Sequence, residues 1–250
     1  MRKTHITIAL LTLTLSLPAS AFNLGDLVKQ GEKLLEQKPA TSAPSQTTGL
    51  DSATLSRGLK EALTIGGERA IARLSTKGGF LNSADVKIPL PGFLDTAGNT
   101  LRRFGLSSQV DAFERSMNSA AEQAVGEATP LFVDTISNLT LEDAQAIYNG
   151  GDTAATEFFQ NKMSDRLGEK MRPLIDQAMA QTGVTRYYDA LIDKASSTLP
   201  ILGAKKTDLG SHVTDATLKG LFLRLAQEEK QIRQNPLARS TDLLKSVFSR

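Results

Sequence analysis

The chain has 250 residues, no cysteine and two histidines, and its 29 basic residues nearly balance its 27 acidic ones. Without cysteine, it has no disulfide bond, no thiol nucleophile and no cysteine-ligated metal site. The charge balance lacks the basic excess that holds nucleic acid, so we expect no nucleic-acid partner.

The first residues have the three parts of an export signal. A positive region with Arg2 and Lys3 precedes an apolar run at residues 6–17. The small-residue motif ASA then ends at Ala21, which predicts cleavage between Ala21 and Phe22. The mature chain is therefore expected in the periplasm.

No membrane anchor is predicted for the mature chain. The apolar run of the signal is shorter than the roughly 20 residues that span a bilayer, and no later segment approaches that length. A lipid anchor would need a cysteine just after the cleavage site, and the chain has none. We therefore expect no transmembrane helix and no covalently attached lipid.

Cleavage also narrows the metal chemistry of the mature chain. It removes His5, two basic residues and no acidic residue, which leaves 27 residues of each charge and a single histidine, His212. One histidine and no cysteine cannot build a typical zinc site. Carboxylates could still hold a hard cation, but no D-x-[DN]-x-[DN]-G calcium loop occurs. The sequence predicts neither a metal ion nor a cofactor.

The composition divides the chain into four segments. After the signal peptide of residues 1–21, residues 22–37 have apolar side chains at helical spacing, which predicts a short amphipathic helix. Residues 38–50 are rich in proline, serine and threonine and are predicted to form a flexible linker. Residues 51–250, roughly 200 in number, suit a single globular domain.

Apolar residues in this domain recur in steps of three and four, which predicts an all-α, multi-helix fold. The first helix is expected to begin at an N-cap formed by Asp51 or Ser52, and Pro130 suits the first turn of another helix. Two long stripes are predicted to face the core. They comprise Leu55, Leu59, Ala62, Leu63, Gly66, Ala70 and Leu74, and then Val110, Phe113, Met117, Ala121, Ala124, Ala128 and Leu131.

One proline-rich segment of the domain is predicted not to be helical. Pro89 and Pro91 prevent a helix in residues 77–93 and favour an extended backbone. The segment is too apolar for a solvated loop, so we expect it to be ordered and packed over the helices. A second irregular stretch is predicted at residues 197–210.

The motif Gly150-Gly151-Asp152 has two possible interpretations. Diguanylate cyclases carry a similar motif on a β-hairpin, whereas helices are predicted on both sides here. Thr140 is a predicted cap of the preceding helix, and Asn149-Gly150 suits its left-handed C-cap. Asp152 suits the N-cap of the next helix. We interpret the motif as a helix corner, although the amides at the second helix start could hold an anion.

The helix after this corner is predicted to be the longest in the chain. It is expected to bend at Pro173 and to end at Gly183. Its apolar stripe comprises Ala155, Phe159, Met163, Leu167, Met171, Leu174 and Ala178.

Four stretches of the sequence carry a resemblance to a known family. They are GLKEALTIGGERAIARL, FLNSADVKIPLP, LFVDTISNLTLEDAQAIYNGGDTAATEFF and GLFLRLAQEEKQIRQNPLARSTDLLKSVF. Together they are similar to the bacterial domain-of-unknown-function family 4197, over nearly all of residues 55–248. The resemblance implies an exported envelope protein. Some members are lipid-anchored through a cysteine, which this chain lacks. The resemblance implies no activity and no catalytic residues.

Ser211, His212 and Asp215 invite a comparison with serine hydrolases, in which a carboxylate orients the histidine that activates the serine. Adjacent serine and histidine side chains do not easily point at one another, and no G-x-S-x-G motif supplies another serine. We expect His212 at a helix entrance, with Thr214 capping the helix that follows. The sequence therefore identifies no catalytic residue.

Glu228 and Glu229 interrupt an apolar stripe in the last long helix. The stripe comprises Leu218, Leu221, Phe222, Leu225 and Ile232. Acidic residues on a core-facing stripe are costly unless they are paired. We therefore expect at least one of them to be buried against an arginine, either Arg233 or Arg239. Such a cluster is either a structural salt bridge or a functional carboxylate in a pocket.

These observations favour a non-catalytic binding or interaction protein of the cell envelope. An alternative is a periplasmic carrier of a hydrophobic small molecule or lipid, because helical domains can enclose an apolar cavity. A weaker alternative is a metal-independent hydrolase. The expected partner is accordingly an envelope protein or a hydrophobic ligand.

Overall fold

The computed structural model describes residues 51–198 and 207–249. This part of the chain forms a single helical domain without strands, which confirms the predicted all-α class. The signal peptide, the segment 22–37 and the linker 38–50 lie outside the described residues. The α-helices are α1 (Ser52–Leu74), α2 (Phe93–Leu101), α3 (Ser107–Glu127), α4 (Thr129–Ser137), α5 (Leu141–Asn149), α6 (Ala154–Thr182), α7 (Val184–Thr198), α8 (Leu209–Gln234) and α9 (Asp242–Val247).

Several helix ends follow local rules that the sequence already shows. The Asp51 carboxylate accepts a hydrogen bond from the Thr54 amide at 2.9 Å and caps α1. Thr140 and Asp143 form a capping box at the start of α5. Pro130 lies in the first turn of α4, and Gly183 ends α6 with a left-handed φ of +72°.

The core lies where α1, α3, α6 and α8 pack together, with α6 in contact with both α3 and α8. Nearly all residues of the predicted stripes are buried in this cluster, and Leu131, Met163 and Leu174 are partly buried. Phe132 of α4 stacks on Phe159 of α6 with 5.5 Å between the ring centroids. Burial of these regularly spaced apolar side chains supplies the main driving force for the fold.

The proline-rich segment crosses the helices in an ordered, non-helical conformation, as predicted, with Phe80 and Ile88 fully buried. Buried polar side chains of α3 hold its backbone. Glu122 Oε1 accepts hydrogen bonds from the amides of Phe80 and Leu81, at 3.1 and 3.3 Å. Asn118 accepts from the Ile88 amide at 2.9 Å and donates to the Ile88 carbonyl at 3.1 Å. These bonds satisfy buried amide and carbonyl groups of the segment, which is not helical and so lacks the hydrogen bonds of a helix.

One connection was not anticipated by the sequence, and another differs from its prediction. A kink at Phe104-Gly105 separates α2 from α3, and Gly105 has a φ of +83° that favours glycine. The predicted left-handed C-cap at Asn149-Gly150 is wrong, because Gly150 has an extended backbone with φ −81° and ψ −176°. The chain therefore leaves α5 in an extended direction and needs no left-handed residue there.

Candidate functional site

The corner between α5 and α6 is held by a carboxylate from another helix. Asp152 was the predicted N-cap of α6, but α6 begins after Thr153, and the Asp152 carboxylate accepts a hydrogen bond from Gln234 instead. The first-turn amides of α6 donate to Glu229, with Ala155 N bonded to Oε1 and Thr156 N to Oε2, both at 2.9 Å. The Asp152 cap is wrong because Glu229 occupies the acceptor position.

Glu229 is 7% exposed, and further polar groups complete its surroundings. The Thr156 hydroxyl donates to Oε2 at 2.9 Å, and Arg233 Nε donates to Oε1 at 3.0 Å. Arg233 also donates through Nη2 to the Ile147 carbonyl, in the last turn of α5, at 2.9 Å. The negative carboxylate thus faces the amino end of one helix and the positive guanidinium faces the carboxyl end of another. Both contacts are favoured by the helix dipoles.

Glu228 is 3% exposed and reaches a different helix. Its carboxylate lies 3.0 Å from Arg73 Nη1 and 3.9 Å from Arg69 Nη1, both on α1. The contact at Glu228 Oε1 lacks hydrogen-bond geometry, so it is a charge pairing alone. Sequence reasoning missed these partners, because only the packing of α1 on α8 brings them together. The available signal was the spacing of Arg69 and Arg73, which places both on one face of α1.

The four residues predicted to form a charge cluster are therefore only partly brought together. Glu229 and Arg233 are paired, and Glu228 turns towards α1. Arg239, 9% exposed, donates to the carbonyls of Ile232 and Arg233 at 3.0 and 2.8 Å and satisfies the carboxyl end of α8. The contacts of these four residues hold helices together, and they do not form the geometry of a catalytic site.

A small, mostly apolar pocket is lined in part by Glu229 and Arg233. Its lining includes Leu59, Leu225 and Phe248, and its volume is about 10 Å³. A cavity of this volume holds about one water molecule at most. This pocket therefore has no room for a hydrophobic ligand.

Ser211 and His212 diverge at the start of α8. Asp208 caps α8 and accepts from both the amide and the hydroxyl of Ser211 at 2.9 Å, and these hydrogen bonds hold the pKa of the Asp208 carboxyl below its usual value. The His212 ring lies 2.9 Å, through Nε2, from the carbonyl of Pro89. The predicted cap at Thr214 is wrong, because the helix begins earlier and Thr214 lies inside it.

A polar cleft lies between α6 and α8 and is open to solvent, with a volume of about 370 Å³. We call it the α6–α8 cleft. Arg172 lies in it and donates to Asp176, Ser211 and Asp208. The hydrogen bond to Asp176 is the main cause of a raised Arg172 pKa, so this cation stays charged. The cleft is lined by Ser164, Asp165, Gly168, Glu169, Arg172, Ser211, Thr214, Asp215 and Leu218.

The α6–α8 cleft is the candidate functional site, because it is accessible and its polar groups converge. It contains Ser211 and Asp215 of the predicted triad, but His212 is not in its lining. Among the described residues, no cluster of three or more histidine, aspartate or glutamate side chains is suited to hold a metal ion. In the sequence, this cleft could have been recognised from Ser164 and Gly168, two small residues that lie one turn apart on α6.

In residues 51–198 and 207–249, no helix has both the length and the apolar character of a membrane span.

A family model described as "Protein of unknown function (DUF4197)" matches residues 49–249. Neither a curated protein nor a solved structure gives a significant match.

Proposed function

The chain belongs to the DUF4197 family of proteins of unknown function, and we propose that it is an exported, non-catalytic protein that binds another component of the cell envelope. Export rests on the signal-like residues 1–21 and the cleavage motif at Ala21. The observation that carries the binding role is the α6–α8 cleft, which is open and polar and lies on two long core helices.

The same cleft supports binding more than catalysis. The Ser211 hydroxyl lies between Asp208 and Arg172, which hold it at 2.9 and 3.0 Å. The His212 ring is bonded to Pro89 instead, so it cannot act as the base for Ser211 in this arrangement. The carrier alternative gains no support from the apolar pocket beside Glu229, since about 10 Å³ is too small for a lipid.

In-cell photo-cross-linking tests the binding role. A photoreactive amino acid is introduced at Ser164, inside the cleft, and in a second strain at Asp189, an exposed position on α7. We expect a discrete cross-linked species from the cleft position in the periplasmic fraction, and none from Asp189. Equal cross-linking at both positions, or none at either, would contradict the proposal.

A purified interaction then separates binding from accidental proximity. The cross-linked component, identified by mass spectrometry, is purified and mixed with the mature chain. We expect saturable binding that a Gly168→Arg substitution, which fills the cleft, abolishes. Unchanged binding by this variant would show that the contact surface lies elsewhere.

A further inference from the structure

In the described part of the chain, the unpaired charges that line the α6–α8 cleft are negative. Asp165, Glu169 and Asp215 are exposed and line the cleft. Within the described part of the chain, these three carboxylates take part in no ion pair or side-chain hydrogen bond. Each is therefore free to accept hydrogen bonds from a bound group.

Arg172, the one cation among the described lining residues, is already neutralised by its neighbours. Arg172 lies 2.9 Å from Asp176 and 3.2 Å from Asp208. Its Nη1 is also engaged with the Ser211 hydroxyl, at 3.0 Å. Arg172 therefore offers little to an anionic ligand, and the electrostatic character of the cleft is set by the carboxylates.

A buried hydroxyl with no partner borders the same cleft. Thr214 is 5% exposed and belongs to the lining. Its Oγ1 forms no hydrogen bond within the described part of the chain. Nearby Thr217, also buried on α8, bonds to the Val213 carbonyl at 2.6 Å as a helical threonine commonly does. A buried polar group without a partner is uncommon in native proteins, and it is an independent sign that this wall of the cleft is built to meet a ligand or water.

We propose that the α6–α8 cleft binds a cationic group, an ammonium or a guanidinium, carried by a lysine or arginine of a partner protein. The inference rests on the proposed binding function and specifies its chemistry. Carboxylates accept charge-assisted hydrogen bonds from both cations. The volume of about 370 Å³ lies within the range of small-ligand pockets and accommodates one long basic side chain with part of its backbone.

Titration with a defined probe tests this chemistry. The mature chain is titrated at low ionic strength with a capped tri-lysine peptide, and separately with spermidine, by isothermal calorimetry. We expect saturable binding of the peptide at one site. Each of Glu169→Gln and Asp215→Asn should weaken it about two- to fivefold, as expected for exposed charge pairs. Added salt should weaken it further.

Matched variants outside the cleft provide the control. Glu142→Gln on α5 and Asp189→Asn on α7 remove exposed carboxylates without touching the cleft. They should leave the peptide affinity unchanged, which would separate a site from general charge attraction. Circular dichroism of each variant establishes that the fold is retained.

The outcomes of these titrations have distinct meanings. Binding of the peptide but not of spermidine supports the protein-borne cation, whereas binding of spermidine alone overturns that source. Binding of neither probe, or equal loss from cleft and control variants, overturns the inference altogether. Cross-linking at Ser164 combined with such a failure would retain the binding function and reject only its cationic chemistry.

Discussion

Glu229 on α8 accepts a hydrogen bond from the amide of Ala155, although the two residues are 74 positions apart in the sequence. The first turn of α6 is thus capped by a side chain from another helix. Because Arg233 joins the same carboxylate to the last turn of α5, one buried pair determines how α5, α6 and α8 meet. The corner at Gly150-Gly151-Asp152 is stabilised by this pair.

Glu229→Gln should strongly destabilise the domain. The amide of glutamine would leave Arg233 buried without its counter-charge and would place an NH₂ group near the amides of α6. Removing one partner of a buried ion pair costs about 3–5 kcal/mol. Urea unfolding measures the change, with Glu142→Gln as the exposed control. A variant as stable as the parent would show that the capping contact contributes nothing.

Glu228→Gln should cost less than Glu229→Gln, under about 1 kcal/mol. Its partners Arg73 and Arg69 have side chains that are 64% and 38% exposed, so water solvates them when the charge is removed. The same unfolding measurement ranks the two variants. The reverse ranking would mean that the α1–α8 pairing matters more than the helix cap.

Much of the fold was predictable because its determinants are local. Apolar side chains at helical spacing identify the buried faces of α1, α3, α6 and α8, and caps such as Thr140 depend on neighbours three residues away. The contacts of Glu228 with α1 depend on packing between distant segments, which one sequence does not reveal. The same holds for Glu122, whose role requires the amides of Phe80 and Leu81.

The candidate cleft was less predictable than the fold. Ser211 and Asp215 invite a catalytic interpretation in the sequence, but their cleft arises only when α6 packs beside α8. The sequence predicts Thr214 as the N-cap of α8, whereas the N-cap is Asp208; both residue types are good caps. Which one begins the helix depends on the contacts of Asp208 with Ser211 and Arg172.

Gly67→Ala should destabilise the domain, whereas Gly151→Ala should be nearly neutral. A Cβ at Gly67 would overlap the ring of Phe132, which is packed between α1 and α6, while a Cβ at Gly151 would meet nothing within 4 Å. Overpacking in a core costs about 1–3 kcal/mol. Thermal unfolding compares the two. Equal losses of stability from the two substitutions would contradict the assignment of the cost to the contact with Phe132.

Stability should depend on pH through Asp85. Hydrogen bonds from Arg224, at 2.7 and 2.8 Å, hold the pKa of Asp85 below its usual value of 3.8. Because the pKa of Asp85 is lower in the folded state than in the unfolded state, the ionised carboxylate stabilises the fold above pH 3.8. This stabilisation is lost as the pH falls from 3.8 towards the folded-state pKa. Asp85→Asn should therefore flatten the pH dependence in this acidic range. Asp189→Asn is the control, and parallel curves for parent and Asp85→Asn would contradict the assignment.

The N-terminus of the mature chain should be Phe22. A positive region, an apolar run and the ASA motif precede it, as signal peptidase requires. Intact-mass measurement of protein released from the periplasm by osmotic shock tests the cleavage. Full-length protein that stays in the cytoplasm would reject export, whereas a mature chain with another first residue would reject only the site.

Residues 22–49 should be dispensable for folding. The first helix begins at Ser52 and is capped by Asp51, whose carboxylate bonds to the Thr54 amide. Its buried face packs against α4, α5, α8 and α9, all of which remain in a chain that starts at Leu50. The linker 38–50 has little apolar surface to bury, so its removal should not expose a core.

The test compares the mature chain with a chain that starts at Leu50. Both should unfold cooperatively. Their free energies of unfolding should agree within about 0.5 kcal/mol, which is the change expected of a surface substitution. Leu59→Ala, which truncates a side chain that is 2% exposed, serves as the positive control and should cost about 2–5 kcal/mol. A shorter chain as unstable as this control would show that residues 22–49 complete the core. The amphipathic segment 22–37 would then be a part of the domain.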